Sequence, residues 1–319
     1  MTGAAAVGVR HEAFFYRDDD EFVALVSAYL REGLESDEAL VVIEPRRHLD
    51  LLRRELGRDA PAVHWLDMTD VGANPARLVP LWGDLVTEHG SSGRPVRGVG
   101  EPAYSGRRPA ELVECEVHEA LIDTALTGCT PWQLLCPYDR RLPAAVQHGA
   151  MRTHAAWRDA ESVGASPHHI PPGDGIDLAT LPACAPLSPP SDVVLRGEFG
   201  LRDVPAVRRT VRIYARSCAL STEQVENLEL AASELASNCI RHGGGSGALA
   251  MWRETDAVAV EFSCPGRMTD PLAGRRRPDP LGGGGMGLYL VQQLCDLVQI
   301  RTGATGTTVR VHTWTPPTR

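Results

Sequence analysis

The sequence predicts two domains of different fold class: an α/β domain with a mostly parallel sheet, followed by an α+β domain of helices and an antiparallel sheet. Three observations support this prediction. A length of 319 residues suits two domains. Strand and helix signals alternate through the first half, which is typical of a parallel sheet with crossover helices. A proline-rich stretch then separates that half from a region with a different order of elements.

The composition excludes several classes of protein. The 43% content of hydrophobic residues is that of a globular chain, and the net charge of −9 argues against a general nucleic-acid binder. No apolar run approaches the roughly 20 residues that span a membrane, and Met1–Arg10 lacks the regions of a signal peptide. We therefore expect a cytoplasmic protein with no membrane partner and no direct nucleic-acid partner.

The cysteine pattern and the absence of lysine limit the kinds of site that the chain can form. The eight cysteines form no C-x-x-C pair, so reduced thiols are expected rather than a disulfide framework. All 32 basic residues are arginine. The lack of lysine excludes a Walker P-loop, a kinase of the eukaryotic pattern and a Schiff-base lysine.

The first half alternates strands and helices in order. The apolar run 39–44 suits a buried parallel strand, and the helix predicted at 20–32 carries an apolar stripe that includes Phe22, Val26 and Leu30. Pro75 lies near the first turn of another helix, where proline is tolerated. The predicted strands are 11–16, 39–44, 63–68, 96–102 and 132–136. The predicted helices are 20–32, 46–56, 75–89, 109–127 and 142–158.

Several short motifs in this half resemble those of a MEDS sensory domain. They are His11 with Phe14-Phe15-Tyr16, Glu32-Gly33-Leu34, Gly100-Glu101-Pro102 with Gly106-Arg107, and Leu135-Cys136-Pro137-Tyr138-Asp139. The resemblance places this domain at residues 8–160. It implies a RecA-like sheet without the phosphate loop, and a role as a ligand sensor.

We hypothesise a small-molecule pocket near His11, Glu101, Arg107 and Cys136. In the alternative interpretation Cys136 is a buried small hydrophobe and His11 is a structural residue at a strand end. Cys115 and His118 could share a helical face and bind a metal, although the sequence around them supplies no tetrahedral set of ligands.

The elements of the second domain follow a linker at residues 161–192, in which seven prolines lie among Gly, Ser and Ala. The domain itself is predicted at 193–315. Asp203 is expected to cap its first helix, and Ser221 or Thr222 its second. A segment rich in Pro, Gly and Arg at 266–285 is too irregular for a regular element. The predicted strands are 194–199, 247–253, 258–263, 298–302 and 307–313, and the predicted helices are 204–218, the helix from 221 or 222 to 242, and 288–297.

Two stretches of this domain suit a Mg-phosphate site. Glu234, Asn238 and His242 are spaced i, i+4, i+8, so they project from one helical face. An amide oxygen can ligate the hard cation, and a carboxylate can orient or deprotonate a hydroxyl group. The glycine run 282–285 leads into a second helix, whose N-terminal N–H groups attract phosphate.

The same stretches resemble the boxes of the GHKL (Bergerat) ATPase sandwich, and within it the RsbW-like anti-sigma-factor serine kinases. The matching motifs are Glu234-x-x-x-Asn238 followed by Arg241 and His242, Gly285-x-Gly287-Leu288-x-Leu290, and Gly306-Thr307. The resemblance implies that Asn238 holds Mg in an ATP site, that Glu234 is the general base in kinase members, and that Thr307 supports the adenine. It also implies a homodimer.

One position departs from the family pattern. The first glycine box of the family is Asp-x-Gly at a strand end, but here the strand runs into Cys264-Pro265-Gly266. That aspartate normally accepts a hydrogen bond from the adenine amino group, and a neutral thiol is a weak acceptor. Losing a charge-assisted bond costs about 1.5–3 kcal/mol, or about 10- to 150-fold in affinity. Either the phosphate and Mg contacts still hold ATP, or the domain keeps only its partner surface.

Two functions from different classes remain open on this resemblance. The first is an anti-sigma factor that sequesters a sigma factor and is released by an anti-anti-sigma (STAS) protein or by a ligand on the sensory half. The second is a Mg-ATP-dependent serine/threonine protein kinase that phosphorylates the anti-anti-sigma protein. In a third interpretation, a ligand-sensing module acts on some other partner.

Overall fold

A computed structural model describes residues 10–171, 178–190, 192–279 and 285–315. The chain divides into two compact units, one up to residue 176 and the other from residue 177. Among the described residues, no helix has both the length and the apolar character that crossing a bilayer requires.

The N-terminal unit is built on a mostly parallel sheet. In the described part of the chain this sheet has the order β3-β2-β4-β5-β1-β6-β7, and all neighbours are parallel except the antiparallel pair β6–β7. Its strands are β1 (Arg10–Tyr16), β2 (Ala39–Glu44), β3 (Val63–Asp67), β4 (Val96–Gly100), β5 (Trp132–Asp139), β6 (Ala156–Arg158) and β7 (Val163–Ala165).

Helices cover both faces of this sheet, which explains why its central strands are apolar on both sides. One face packs Phe14, Val42 and Leu135 in one buried cluster, and the opposite face packs Ala13 and Cys136 in another. The helices are α1 (Asp19–Glu35), α2 (Arg46–Leu56), α3 (Met68–Val71), α4 (Leu78–Gly90), α5 (Pro109–Ala125) and α6 (Ala144–Thr153).

Three predicted helices of this unit are shorter than expected, and the one predicted at 109–127 ends at Ala125. The helix predicted at 142–158 ends at Thr153, because His154 is extended and the chain then pairs with β1 as β6. Arg158 is held there by the carboxylate of Glu12, with its Nε 2.9 Å from Oε2. The helix predicted from residue 75 begins only at Leu78, after the tight turn Pro75–Arg77.

The C-terminal unit has three helices, among its described residues, packed on one face of an antiparallel sheet of order β11-β12-β10-β9-β8. This confirms the predicted fold class of both halves. The strands are β8 (Leu195–Gly200), β9 (Ser246–Arg253), β10 (Ala257–Cys264), β11 (Leu297–Gly303) and β12 (Gly306–Trp314). The helices are α7 (Val204–Ser217), α8 (Thr222–His242) and α9 (Met286–Leu294).

The core of this unit follows the alternation of its strands. Val258, Val260 and Phe262 of β10 all point to the helices, so Cys264 at the end of the strand is on the helix side as well. Helix α9 ends at Leu294 rather than at 297, because residue 297 already pairs with β12.

The second half of the proline-rich segment packs on the C-terminal unit. Leu181 and Ala183 are buried. The guanidinium of Arg301 donates to the carbonyl of Ala185 at 3.2 Å, and that of Arg310 donates to Ser188 at 2.8 Å. Ala185 and Ser188 of this segment are therefore bonded to β11 and β12.

Candidate functional site

Helix α8 places the predicted polar residues at the edge of the C-terminal core. Its first turn is fixed by a reciprocal cap, in which the Gln224 amide donates to Ser221 Oγ at 3.2 Å and the Ser221 amide donates to Gln224 Oε1 at 3.0 Å. Apolar side chains of α8 are buried against the sheet. Glu234 and Asn238 are half-buried beside that face, and His242 is exposed at the end of the helix.

A cavity of about 470 Å³ opens beside this edge. It is within the size range of small-molecule sites, about 300–1,000 Å³. The structure brings eight of the predicted residues together around it: Asn238, His242, Cys264, Gly266, Gly285, Gly287, Leu288 and Thr307.

The remaining two predicted residues lie next to the cavity. The carboxylate of Glu234 lies against Gly287 and occupies the space that a Cβ there would need. Gly306 approaches the backbone of Cys264 in the same way, and its φ of +124° is one that L side chains rarely adopt. All ten predicted residues of this domain therefore belong to one region.

One end of the cavity suits phosphate. Gly285 precedes α9 with a left-handed φ of 88°, and no side chain of the described residues makes a capping hydrogen bond there. Arg276 and Arg277 also line the cavity. Arg275, which precedes them, is buried. Gly282–Gly284 of the predicted glycine loop lie outside the described residues.

Another part of the cavity lining is the loop that follows β10, which is bonded to β12. Thr307 Oγ1 donates to the carbonyl of Gly266 at 2.8 Å and accepts from the amide of Met268 at 3.0 Å. A Cβ at Gly266 would collide with backbone atoms of His242 and Gly243. These contacts hold the loop after β10 close to the end of α8.

Cys264 is more acidic than the sequence implies. A hydrogen bond with the thiol of Cys239 lowers the pKa of Cys264 to about 7, although its partial burial acts in the opposite direction. The pKa of Cys239 is raised by the same bond. This lowered pKa brings the deprotonation of Cys264 close to neutral pH. Asp270 lines the same cavity.

The four residues of the hypothesised sensory pocket are not brought together. Glu101 belongs to a buried group at the carboxyl ends of the strands, where it accepts from Tyr16 at 2.6 Å and from His48 Nδ1 at 2.7 Å. Glu44 Oε2 lies 3.3 Å from the same nitrogen. Burial lowers the pKa of His48, but its bonds to Glu101 and Glu44 outweigh this and raise the pKa to about 10.

The side chain of Arg107 binds backbone carbonyls. Its guanidinium donates to the backbone carbonyls of Pro102 at 2.8 Å, Ala73 at 2.9 Å and Gly72 at 2.6 Å. Cys115 is hydrogen-bonded to the Pro102 carbonyl at 3.2 Å. Cys115 and His118, the pair that could bind a metal on one helical face, belong to no group of three or more metal-ligating residues in the described part of the chain.

His11 and Cys136 do lie together, in a second buried group. Their partners are Glu119 and His154, which the sequence analysis missed. The sequence around these two residues does not indicate a metal site. Glu119 lies within a helix, and His154 directly follows another helix. Only the fold brings these four positions together.

Comparisons with known proteins agree with both resemblances. Residues 10–155 match the family described as the MEthanogen/methylotroph, DcmR Sensory domain (MEDS), and residues 198–313 match the histidine kinase-like ATPase domain. The chain thus carries a MEDS domain at its N-terminus and a histidine kinase-like ATPase domain at its C-terminus. No curated protein matches the chain.

Among solved structures, the chain is similar to the crystal structure of the RsbU and RsbW domains of Rv1364c from Mycobacterium tuberculosis. The sequence identity is 18%, the match covers 40% of this chain and 34% of that chain, and the TM-score is 0.29. The match thus spans about a third of the length of that relative.

Proposed function

We propose that this chain, with a MEDS domain followed by a histidine kinase-like ATPase domain, is a regulator of the anti-sigma type whose C-terminal domain binds Mg-ATP. The observation that carries the proposal is the convergence of eight box residues on one cavity of about 470 Å³. They come from α8, the end of β10, the start of α9 and the start of β12, so sequence proximity does not explain their meeting.

The residues around the cavity fit the parts of a magnesium nucleotide. The side-chain oxygen of Asn238 is a ligand of the kind that Mg²⁺ accepts. The N-terminal amides of α9, with Gly285 and Gly287, suit the phosphates. Cys264, Gly266 and Thr307 surround the end assigned to the adenine. When bound, the nucleotide supplies a transferable phosphoryl group.

The adenine end is consistent with retained binding. A thiolate fraction at Cys264 provides a charged acceptor at the position where the family has aspartate. Because charged acceptors form the stronger hydrogen bonds, part of the affinity that the substitution removes is restored near neutral pH. We therefore propose a nucleotide-binding domain rather than one that has kept only its partner surface.

The regulatory partner proposed is a sigma factor, with release controlled by an anti-anti-sigma (STAS) protein or by the MEDS half. The full chain, immobilised and exposed to extract of its native cells with and without Mg-ATP, is expected to retain a sigma factor. The retained protein is then purified and titrated against the full chain. Repeated capture without a sigma factor, or no saturable binding in the titration, would contradict this part of the proposal.

A specific contact favours kinase activity as the second candidate function. The carboxylate of Glu234 lies against Gly287, at the start of the helix assigned to the phosphates. A carboxylate there can orient a serine hydroxyl and accept its proton. Phosphate transfer to a purified STAS protein should be lost in Glu234→Gln, with Mg-ATP binding retained. Glu226→Gln, an exposed position on the same helix, is the matched control.

A further inference from the structure

Four buried side chains in the N-terminal unit meet from distant parts of the sequence. His11 lies on β1, Cys136 on β5 and Glu119 on α5, and His154 directly follows α6. Their exposed fractions are 6% or less. One potential ligand atom from each lies within 4.8 Å of the others. All four residue types are common metal ligands.

The spacing of the ligand atoms is close to that of a tetrahedral site. Bonds of about 2.0–2.3 Å to a central zinc ion imply distances of about 3.3–3.8 Å between neighbouring ligand atoms. Nε2 of His11 lies 3.0 Å from Oε2 of Glu119 and 3.3 Å from Sγ of Cys136. The distance from Sγ of Cys136 to Oε2 of Glu119 is 3.6 Å, and that from Nε2 of His154 to the same oxygen is also 3.6 Å.

The other ring nitrogen of each histidine has a polar neighbour, through a hydrogen bond in His154 and at ion-pair distance in His11. Nδ1 of His154 lies 2.9 Å from the carbonyl of Ala150, which therefore accepts its proton and leaves a lone pair on Nε2. That Nε2 is fully buried and has no hydrogen-bond partner among the described residues. Nδ1 of His11 lies 3.1 Å from Oδ1 of Asp123. Such outer contacts orient the histidine ligands of metal sites.

We propose that His11, Glu119, Cys136 and His154 form a closed binding site for a zinc-type divalent transition metal ion. The donor set of two imidazoles, one thiolate and one carboxylate suits such an ion better than Mg²⁺ or Ca²⁺, which prefer oxygen. A divalent ion, a thiolate and a carboxylate sum to zero charge, so the bound site has no net charge to bury. Binding removes two protons, one from the Cys136 thiol and one from Nε2 of His11, which is protonated in its ion pair with Glu119.

The site has a structural character, because protein side chains supply all four ligands and no position is left open for substrate. The ion would join β1 and β5 to α5 and to the end of α6. It would also relieve the unpaired Nε2 of His154. Without an ion, the group is instead a buried His11–Glu119 ion pair, and Nε2 of His154 has no hydrogen-bond partner among the described residues. This is the alternative that the experiment tests.

The test uses the full chain, stripped with a chelator and titrated with Co²⁺ and then with Zn²⁺. We expect about one equivalent of Co²⁺ to bind, with intense visible absorption of a tetrahedral ion, a thiolate-to-cobalt band, and displacement by Zn²⁺. Zn²⁺ should also raise the melting temperature. A stripped protein that shows no cobalt spectrum, or the same melting temperature with and without Zn²⁺, would overturn the proposal.

Substitutions of single residues test which side chains bind the ion. Cys136→Ser should lose the thiolate band and His154→Gln should weaken binding at least tenfold. Cys115→Ser, a buried cysteine outside the group, should behave as the wild type. Asp123→Asn should keep the cobalt spectrum with about 10- to 100-fold weaker binding. Circular dichroism identifies variants that do not fold; if Cys136→Ser does not, His154→Gln and Asp123→Asn decide. Folded variants that bind Co²⁺ like the wild type would place the metal elsewhere and overturn the assignment.

Discussion

The amide of Gly266 donates a hydrogen bond to the carbonyl of Gly243, 3.0 Å away. This bond joins the loop that follows β10 to the residue that follows α8. The two backbones are so close that no Cβ fits at position 266. The end of the cavity that we propose for the adenine depends on this contact, because Cys264 and Thr307 are attached to the same loop.

Gly266→Ala is expected to destabilise the C-terminal domain. The added Cβ would meet backbone atoms of His242 and Gly243, which cannot move aside as a flexible side chain can. The cost of such overpacking is about 1–3 kcal/mol in the free energy of unfolding, measured by urea denaturation. Gly303→Ala is the control, because the described structure has no atom within 4 Å of its added Cβ. Equal stability of the two variants would contradict the prediction.

Cys264→Asp is expected to bind Mg-ATP more tightly than the wild type at pH 6. At that pH the wild-type thiol is mostly protonated, because its pKa is about 7. An aspartate would restore the charge-assisted bond to adenine, and such a bond increases the affinity about 10- to 150-fold. Calorimetric titration measures the difference. Cys264→Asn, which has a similar shape without the charge, should show no comparable gain. A wild-type affinity equal to that of Cys264→Asp would refute the role assigned to this position.

The wild-type affinity for Mg-ATP is expected to rise between pH 6 and pH 8. The pKa of Cys264 is lowered to about 7 by its hydrogen bond with Cys239, so deprotonation creates the charged acceptor within this interval. The quantity to measure is the ratio of the wild-type affinity to that of Cys264→Asn, since titration of the nucleotide itself cancels in it. A ratio that stays constant across the interval would show that the thiolate does not contact the ligand.

The stability of the MEDS domain is expected to fall as the pH rises above neutrality. Bonds to Glu101 and Glu44 raise the pKa of His48 from 6.5 to about 10 in the folded state. Protonated His48 therefore stabilises the folded state. This contribution is fully present below about pH 6.5 and is lost as the pH rises through about 10. The slope is at most about 1.4 kcal/mol per pH unit in the free energy of unfolding.

Urea denaturation between pH 6.5 and pH 10 measures this slope. His48→Gln should flatten it, and His64→Gln, at an exposed position on β3, should leave it unchanged. If His48→Gln and the wild type lose stability in parallel, the buried group around Glu101 is not the source of the pH dependence.

Local patterns were sufficient to predict most of the fold. Apolar runs such as 39–44 and the amphipathic helices follow from burial, which acts on each segment in a similar way wherever it lies. The strands β6 and β7 were missed because each has three residues and exists only through pairing with a neighbour. The helix predicted at 142–158 was therefore extended beyond Thr153, where the observed helix ends.

The same distinction applies to the sites. The box residues of the C-terminal domain could be predicted because Glu234, Asn238 and the glycines carry their spacing in the sequence. The acidity of Cys264 could not, since it depends on Cys239, a residue that becomes a neighbour only in the folded chain. Glu119 and His154 were missed for the same reason.

The most direct test of the central claim, that the cavity of the C-terminal domain binds a magnesium nucleotide, is calorimetric titration of the full chain with Mg-ATP at pH 8. We predict saturable binding by the wild type, loss of the Mg²⁺-dependent part in Asn238→Ala, and no change in Asn227→Ala, a position on the same helix outside the cavity lining. Absence of binding by both the wild type and Cys264→Asp, or an Asn238→Ala variant that binds like the wild type, would contradict the account.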